Sequence, residues 1–233
     1  MKKVILLTLL SLTVALLFSW GGKNDEPLYL VKQTYTDRSG TITTKYLYND
    51  DYKVIKQQAD AGGEASTESE YGYDENGYQN YQKVVAKSGL VQEFFMTNDS
   101  QGRVVARRIV TNYNGKVTET TSSLEYIDDN GSYVETSSSG AVNTFTFDEH
   151  GNFLSIVSSG LSEQTVTYDN KYENDLLIEA KMTTATKNKT VKQSVKYEYD
   201  RHGNKIKSEV FDENGNVTVT ETFEYSSKPK IVK

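Results

Sequence analysis

The chain contains only two histidines, and both occupy the same position in a short repeated motif. His150 is the third residue of the segment 148–151 (DEHG), and His202 is the third residue of 200–203 (DRHG). Asn76 fills that position in the related segment 74–77. A two-histidine metal site would need both turns to meet in space with help from carboxylates. We therefore interpret both histidines as turn residues.

Acidic residues offer two further kinds of chemistry. The Asp-x-Asn-Gly segments resemble the start of a calcium loop, but a complete loop supplies oxygen ligands over twelve residues, and here they stop after three positions. The adjacent pairs Asp50-Asp51 and Asp128-Asp129 fall in predicted turns, where neighbouring side chains point apart rather than flank a glycosidic bond. The chain has no cysteine, which excludes thiolate chemistry. The sequence predicts no metal, no cofactor and no catalytic residue.

Aromatic residues are the remaining candidates for binding. The chain has 17 tyrosines and 8 phenylalanines, and most of them fall on the apolar phase of predicted strands, where a ring is buried and a hydroxyl stays polar. Three tyrosines depart from that phase. Tyr78 and Tyr81 follow the Gly77 turn in a polar run, and Tyr113 lies inside a predicted turn at 112–115. We predict these three as exposed ligand-binding residues.

Turns position all of these residues. Nine of the 16 glycines have Asp or Asn three residues earlier. In such a turn the Asp or Asn side chain caps the backbone, two residues follow in right-handed conformation, and a left-handed glycine closes a bulged hairpin. The glycines that we predict as structural turn positions are Gly77, Gly102, Gly115, Gly131, Gly151, Gly203 and Gly215.

The segments between the turns alternate between apolar and polar residues. Val217, Val219 and Phe223 share one face of a predicted strand, and the intervening positions carry Thr and Glu. Both prolines, Pro27 and Pro229, lie outside the repeated region, as expected where every strand needs its backbone N–H groups. The pattern predicts an all-β protein, an antiparallel up-and-down meander of repeated hairpins that forms either a strongly curved sheet or a closed barrel.

The N-terminal segment has the pattern of an export signal. Lys2 and Lys3 precede an apolar run over 4–18, which is shorter than the roughly 20 residues of a membrane-spanning helix. We predict a signal peptide at 1–21, a polar tether at 22–30, a β-hairpin repeat domain at 31–228 and a tail at 229–233. The alternative to the signal peptide is a transmembrane anchor.

The segment 197–225 (YEYDRHGNKIKSEVFDENGNVTVTETFEY) resembles the YD repeats of RHS-type proteins, and weaker copies run from about residue 45 onward. The chain is similar to small exported YD-like proteins of Bacteroidales, whose relatives are described as porin-like or barrel-like. Residues 17–22 also resemble the processing region of bacterial lipoproteins, but Trp20 stands where that family carries its lipid-bearing cysteine. The resemblance implies a hairpin array and export, and implies no particular activity.

The formal net charge of −6 argues against a nucleic-acid partner, which would favour a basic surface. We predict an exported protein of the periplasm, cell surface or extracellular space that does not span the membrane after signal removal. Its predicted role is that of a non-catalytic envelope binding or scaffold protein with a polysaccharide or another surface polymer as partner. The alternative is a carrier that holds a small apolar or amphiphilic ligand inside the curved sheet. Outward-facing aromatics would favour the polymer, and inward-facing aromatics would favour the carrier.

Overall fold

Strand formation follows from the alternation of side chains and from the turn residues between the runs. The computed structural model describes residues 27–62, 64–127 and 131–232, with the side chains of 64 and 65 left out. The predicted signal peptide and residues 22–26 of the predicted tether lie outside the described residues, as do Gly63, Asp128 and Asp129. The described ranges contain strands and turns but no helix.

Sixteen strands make up the described chain. In chain order they are β1 (Tyr29–Asp37), β2 (Gly40–Tyr48), β3 (Val54–Ala61), β4 (Glu64–Tyr73), β5 (Gln79–Ala86), β6 (Leu90–Asn98), β7 (Val104–Tyr113), β8 (Lys116–Tyr126), β9 (Tyr133–Ser137), β10 (Val142–Phe147), β11 (Phe153–Ser159), β12 (Gln164–Glu173), β13 (Leu176–Thr186), β14 (Thr190–Tyr199), β15 (Lys205–Phe211) and β16 (Val217–Ser226).

Each strand pairs antiparallel with the next, and β1 pairs with β16, so the sheet closes into a barrel. This confirms the predicted all-β meander and decides between the two predicted forms in favour of the closed barrel. The first strand begins at Tyr29, so the last two residues of the predicted tether belong to the sheet. We call the rim where β1 begins and β16 ends the near rim, and the opposite one the far rim.

Capped turns repeat along the near rim. In the turn between β4 and β5, Asp74 Oδ1 accepts hydrogen bonds from the backbone N–H groups of Asn76 and Tyr78, at 3.0 and 2.8 Å. Gly77 has φ +82° and donates its N–H to the Asp74 carbonyl at 2.9 Å. All seven glycines named as turn positions have φ between +76° and +85°, including Gly115 and Gly215, which lie at the far rim. This left-handed conformation closes the capped turn, and glycine adopts it without a Cβ clash.

A second feature accompanies most of the near-rim turns. The pairing between β4 and β5 passes over one residue, Asn80, and the β14–β15 pairing passes over Ile206 in the same way. Each is a β-bulge placed one residue after the start of an odd-numbered strand, and a bulge increases the local twist of the sheet. Regular repetition of this twist helps a long meander to curl until its ends meet.

Polar side chains at the ends of even-numbered strands fasten these bulges. The Tyr73 hydroxyl donates to the Val54 carbonyl at 2.7 Å, and the Tyr199 hydroxyl donates to the Leu177 carbonyl at 2.8 Å. The same bond is made by the hydroxyls of Tyr48, Tyr126 and Tyr225 and by the side-chain amides of Asn98 and Asn170. We call this combination of capped turn, bulge and rim hydrogen bond the rim unit.

The C-terminal tail contributes to the near rim. Tyr48 donates its backbone N–H to the Lys230 carbonyl at 3.0 Å, and Val232 donates its N–H to the Tyr48 carbonyl at 2.8 Å. Ile231 thereby forms an isolated parallel bridge with Tyr48, and Pro229 is buried. The predicted tail at 229–233 therefore packs against β2, up to the last described residue.

Candidate binding site in the barrel lumen

Strand register separates the side chains into a lumen-facing and an outward-facing set. Tyr46, Tyr71, Gln82 and Phe223 are buried at 9%, 8%, 5% and 8% exposure and all belong to the lumen-facing set. The outward-facing set is rich in Thr and charged residues, which form surface pairs such as Lys56–Glu68 at 2.6 Å. An antiparallel strand with one polar and one apolar face produces this division.

The lumen is lined with side chains rather than filled by them. Among the described residues only Ser132 is fully inaccessible, and most lumen-facing residues are half-buried. A barrel of sixteen strands is wide enough to leave an aqueous space between its walls. The lumen-facing groups are therefore accessible to a bound molecule.

A run of six rings in mutual contact, some stacked and some tilted, covers one wall of the lumen close to the near rim. Tyr133 and Phe145 have ring centroids 4.7 Å apart, and Phe147 and Phe153 are also 4.7 Å apart. Tyr126 extends the run at one end, 5.5 Å from Tyr133, and Tyr168 extends it at the other, 5.8 Å from Phe153. We call this set the aromatic ladder: Tyr126, Tyr133, Phe145, Phe147, Phe153 and Tyr168. All six rings are half-buried, so one surface of the ladder is open to the lumen.

A charged pair lies beside the ladder. Arg107 on β7 and Glu135 on β9 reach across β8 and approach within 3.3 Å, with side chains only 11% and 13% exposed. Burial raises the pKa of Tyr133 to about 12, with opposing effects from the Arg107 and Glu135 charges. Because the two charges compensate each other, this wall presents an apolar surface with little net charge to the lumen.

The wall formed by β15, β16 and β1 is more polar and lies across the ring from β8. Glu221 accepts hydrogen bonds from Gln33 Nε2 at 3.1 Å and from Ser208 Oγ at 2.8 Å. The Tyr46 hydroxyl donates to Gln33 Oε1 at 2.7 Å, which joins β2 to this network. Amide, hydroxyl and carboxylate groups therefore line this wall and face the lumen.

Lys205, the first residue of β15, points into the same region. Its ammonium lies 4.5 Å from the Phe223 ring centroid and 5.7 Å from that of Tyr197. Burial lowers the pKa of Lys205, and the charge of Glu221 acts in the opposite direction. Burial also raises the pKa of Tyr197 to about 12, with smaller contributions from neighbouring tyrosines that include Tyr168 of the ladder. The ladder and Lys205 thus border one continuous region of the lumen.

The three tyrosines predicted to bind a ligand do not form one site. Tyr78 lies at the near rim, half-buried against the next turn, where a Cβ on Gly102 would meet its ring at 2.4 Å. Tyr81 is on the outer face of β5, with its ring 5.3 Å from Phe95 and its hydroxyl donating to Glu93 at 2.7 Å.

Tyr113 lies at the far rim and is 46% exposed. The predicted turn at 112–115 is shorter than expected, because Tyr113 is the last residue of β7 and pairs with Lys116. Asn114 and Gly115 alone form the turn, with φ +51° and +80°. Two consecutive left-handed residues are typical of the two-residue Asn-Gly hairpin.

His150, His202 and the acidic pair Asp50-Asp51 occupy three separate turns, and the pair Asp128-Asp129 lies outside the described residues. His150 lies 4.3 Å from the Tyr172 ring, and His202 Nε2 accepts a hydrogen bond from Arg201 Nε at 2.9 Å. Within the described ranges, no group of three or more His, Asp or Glu residues is placed to hold a metal ion.

The aromatic ladder was not identified from the sequence. The available signal was the position of rings on both sides of one capped turn. Phe147 precedes the 148–151 turn and Phe153 follows it, so a bulged hairpin brings both rings to the same face. The further stacking on β8, β9 and β12 depends on register between hairpins, which single-strand periodicity does not give.

No protein-family model matches the chain, and no curated protein sequence matches it. The solved structures that share its architecture include two from Bacteroides. A porin-like protein from Bacteroides vulgatus is 14% identical with a TM-score of 0.58, and the match covers 85% of this chain and 98% of that one. A porin-like protein from Bacteroides uniformis is 12% identical with a TM-score of 0.55, covering 84% and 98%. At this level of identity the similarity is one of fold.

Within the described part of the chain, no helix has the length and apolar character needed to cross a membrane.

Proposed function

We propose that the chain is an exported, non-catalytic binding protein of the cell envelope that holds an amphiphilic ligand in its barrel lumen. The aromatic ladder is the observation that carries this proposal. Its rings face inward, as expected for a carrier, and each keeps an accessible surface. Aromatic rings bury large apolar areas and so contribute strongly to binding.

Export and envelope association are supported by two independent observations. Lys2 and Lys3 followed by the apolar run at 4–18 form a signal-peptide pattern. The two Bacteroides proteins that share the fold are described as porin-like. We propose that the mature barrel does not cross a lipid bilayer. Its outward side carries charges along the strands, among them Lys83, Arg108 and Lys181, and charge on a lipid-facing strand is costly.

We also infer kinship with YD repeats. Tyr73-Asp74 and Tyr199-Asp200 are the tyrosine–aspartate steps of two rim units, in which the tyrosine bonds to the preceding strand and the aspartate caps the turn. The repetition of this unit supports a shared origin of the hairpins.

Dye displacement tests the lumen as a binding site. The chain from residue 22 onward lacks tryptophan, so N-phenyl-1-naphthylamine fluorescence can be followed without interference. We expect the dye to bind and an uncharged alkyl glycoside to displace it. Phe145→Ser should weaken dye binding about tenfold, which corresponds to roughly 1.4 kcal/mol of lost apolar contact. Phe95→Ser is the matched control, because Phe95 lies on the outer face. Equal binding by both variants, or no binding by the parent, would contradict the proposal.

A surface polymer is the second candidate ligand, and one outward cluster favours it. The Tyr81 and Phe95 rings pack together, and the Arg108 guanidinium carbon lies 4.1 Å from the Phe95 ring centroid. Rings beside a cation on an exposed sheet can contact a polysaccharide. Tyr81→Ala should then reduce retention on immobilised envelope polysaccharide while the melting temperature stays near that of the parent. Unchanged retention would remove this candidate.

A further inference from the structure

We propose that the ligand of the lumen carries an anionic group and that Lys205 binds it. This inference rests on the proposed function. It adds the sign of the ligand's charge and the residue that binds the charged group. The observation behind it is a difference between Arg107 and Lys205, which both belong to the lumen-facing set. Arg107 has Glu135 as its ion-pair partner, whereas Lys205 forms no ion pair within 4.0 Å with any described residue.

The surroundings of Lys205 explain why this charge is suited to a ligand. Glu221 is the carboxylate whose charge acts on Lys205, and its two oxygens already accept hydrogen bonds from Gln33 and Ser208. The Phe223 and Tyr197 rings provide cation–π contacts, which offset part of the cost of removing the ammonium from water. A half-buried charge without an ion-pair partner is unfavourable, so an anion arriving with a ligand would supply the missing partner.

The position of Lys205 relative to the ladder defines the shape of the ligand. The ladder spans β8 to β12, which is four interstrand steps or about 19 Å around the barrel wall. Tyr197 on β14 lies between Tyr168 at the end of the ladder and Lys205 on β15. An apolar chain on the ladder would therefore place its head group beside Lys205. The matching ligand is a molecule with one apolar body and one carboxylate, sulfate or phosphate at its end.

A matched lysine on the outer surface provides the control. Lys196 on β14 faces outward, and its ammonium lies 5.2 Å from the Phe211 ring centroid. Lys196 and Lys205 therefore have similar cation–π geometry on opposite sides of the same wall. Replacement of either lysine by methionine removes one positive charge from the protein, so a general charge effect would be the same for both.

The test compares displacement of the bound dye by decanoate, decyl glucoside, decyltrimethylammonium and acetate, each below its aggregation concentration. In the parent we expect decanoate to bind at least tenfold more tightly than decyltrimethylammonium, and acetate to show no displacement because it lacks the apolar body. Lys205→Met should weaken decanoate about tenfold and change decyl glucoside less than twofold. Lys205→Arg should retain decanoate binding, and Lys196→Met should behave as the parent.

The outcomes separate this inference from the proposed function. If decyl glucoside and decyltrimethylammonium displace the dye as well as decanoate does, the lumen binds amphiphiles regardless of the charge of their head group. The inference is then wrong, and the proposed function stands. The same holds if Lys205→Met weakens decanoate and decyl glucoside equally. If acetate alone competes, the site binds a free anion rather than an amphiphile. If no compound displaces the dye, the proposed function fails together with the inference.

Discussion

Gly140 and Gly160 have nearly the same backbone conformation, with φ +88° and +89°, but different surroundings. A Cβ on Gly140 would meet no atom within 4 Å, whereas a Cβ on Gly160 would lie 2.1 Å from the Gly140 carbonyl oxygen. Alanine at either position costs about 1–2 kcal/mol for the left-handed backbone. Gly160→Ala should cost more because the backbone must also move. Urea midpoints of the two variants check this, and equal midpoints would show that the two turns do not approach each other closely.

The capping aspartates make stability depend on pH. Partial burial opposes the ionised form of Asp148 and Asp200, but hydrogen bonds outweigh it and lower the pKa of both carboxyl groups. The donors include Tyr172 and Asn170 for Asp148, and Asn204 for Asp200. A lowered pKa in the folded state adds stability that is fully present above the unfolded value of about 3.9 and is lost as the pH falls through the folded value. We therefore expect the urea midpoint to fall between pH 5 and pH 2.

A double variant isolates this contribution. Asp148→Asn with Asp200→Asn keeps an oxygen acceptor at both turns but removes the titrating groups. Its urea midpoint at pH 7 should be lower than that of the parent, and its decline on acidification should be shallower. Parallel pH profiles for the parent and the double variant would contradict this assignment.

At the scale of the strands, the rim hydrogen bonds can be tested one at a time. Tyr199→Phe removes the hydroxyl that donates to the Leu177 carbonyl and leaves the ring in place. Loss of one such bond should lower the free energy of unfolding by about 0.5–1.5 kcal/mol. Tyr113→Phe is the control, because no side-chain hydrogen bond is found for Tyr113 among the described residues and the side chain is exposed. Equal stability of Tyr199→Phe and the parent would mean that the bond is not stabilising.

Much of the strand layout could be predicted because turn chemistry is local. Asp74, Asp99 and Asp212 each cap their own turn through atoms at most four residues away, so the sequence motif contains the whole interaction. The turn after Tyr113 was misplaced because Asn112 has the capping spacing to Gly115 while Asn114-Gly115 also forms a two-residue hairpin. The second arrangement leaves Asn112 and Tyr113 within strand β7, where each keeps its backbone pairing with β8.

The aromatic ladder and Lys205 lay beyond such reasoning. Tyr133 and Phe145 stack because β9 and β10 pair in one register, and Tyr168 joins them only through the register of β11 and β12. A shift of one residue in any of these pairings would turn a ring to the outer surface. Lys205 is a polar residue in a lumen-facing position because the bulge at Ile206 reverses the alternation there. Periodicity alone assigns the opposite face.

At the scale of the whole molecule, closure joins the two ends of the chain. Tyr29 pairs with Ser226, so the ends of β1 and β16 are neighbours at the near rim. A five-residue turn with the sequence of 212–216 should connect Ser226 to Pro27, and new termini should be tolerated between Ser138 and Gly140, which lie in an exposed turn. We expect this permuted chain to keep the β-sheet circular dichroism spectrum and a cooperative melt. The same linker with new termini at Ile156, inside β11, should not fold. Folding of both permutants, or of neither, would contradict the closed seam.

Closure itself was left open by the sequence. Whether a long meander ends as a curved sheet or a ring depends on whether its first and last strands can pair, and these are separated by nearly the whole chain. The pairing of Lys32 with Glu224 and of Gln33 with Glu221 shows how the seam is satisfied by side chains of opposite or complementary character. Neither partner is marked by any local motif.

The even number of strands gives the barrel a polarity. The chain enters and leaves at one rim, where most of the acidic capped turns and the C-terminal residues also lie, although the turn capped by Asp212 is at the other rim. Any attachment made upstream of Tyr29 therefore fixes which opening faces the anchoring surface. The near opening, with Lys205 and the aromatic ladder beside it, would face that surface, and the opposite opening with its short loops would face away. A molecule leaving the anchoring surface would then meet the aromatic ladder and Lys205 first, without having to pass through the length of the barrel.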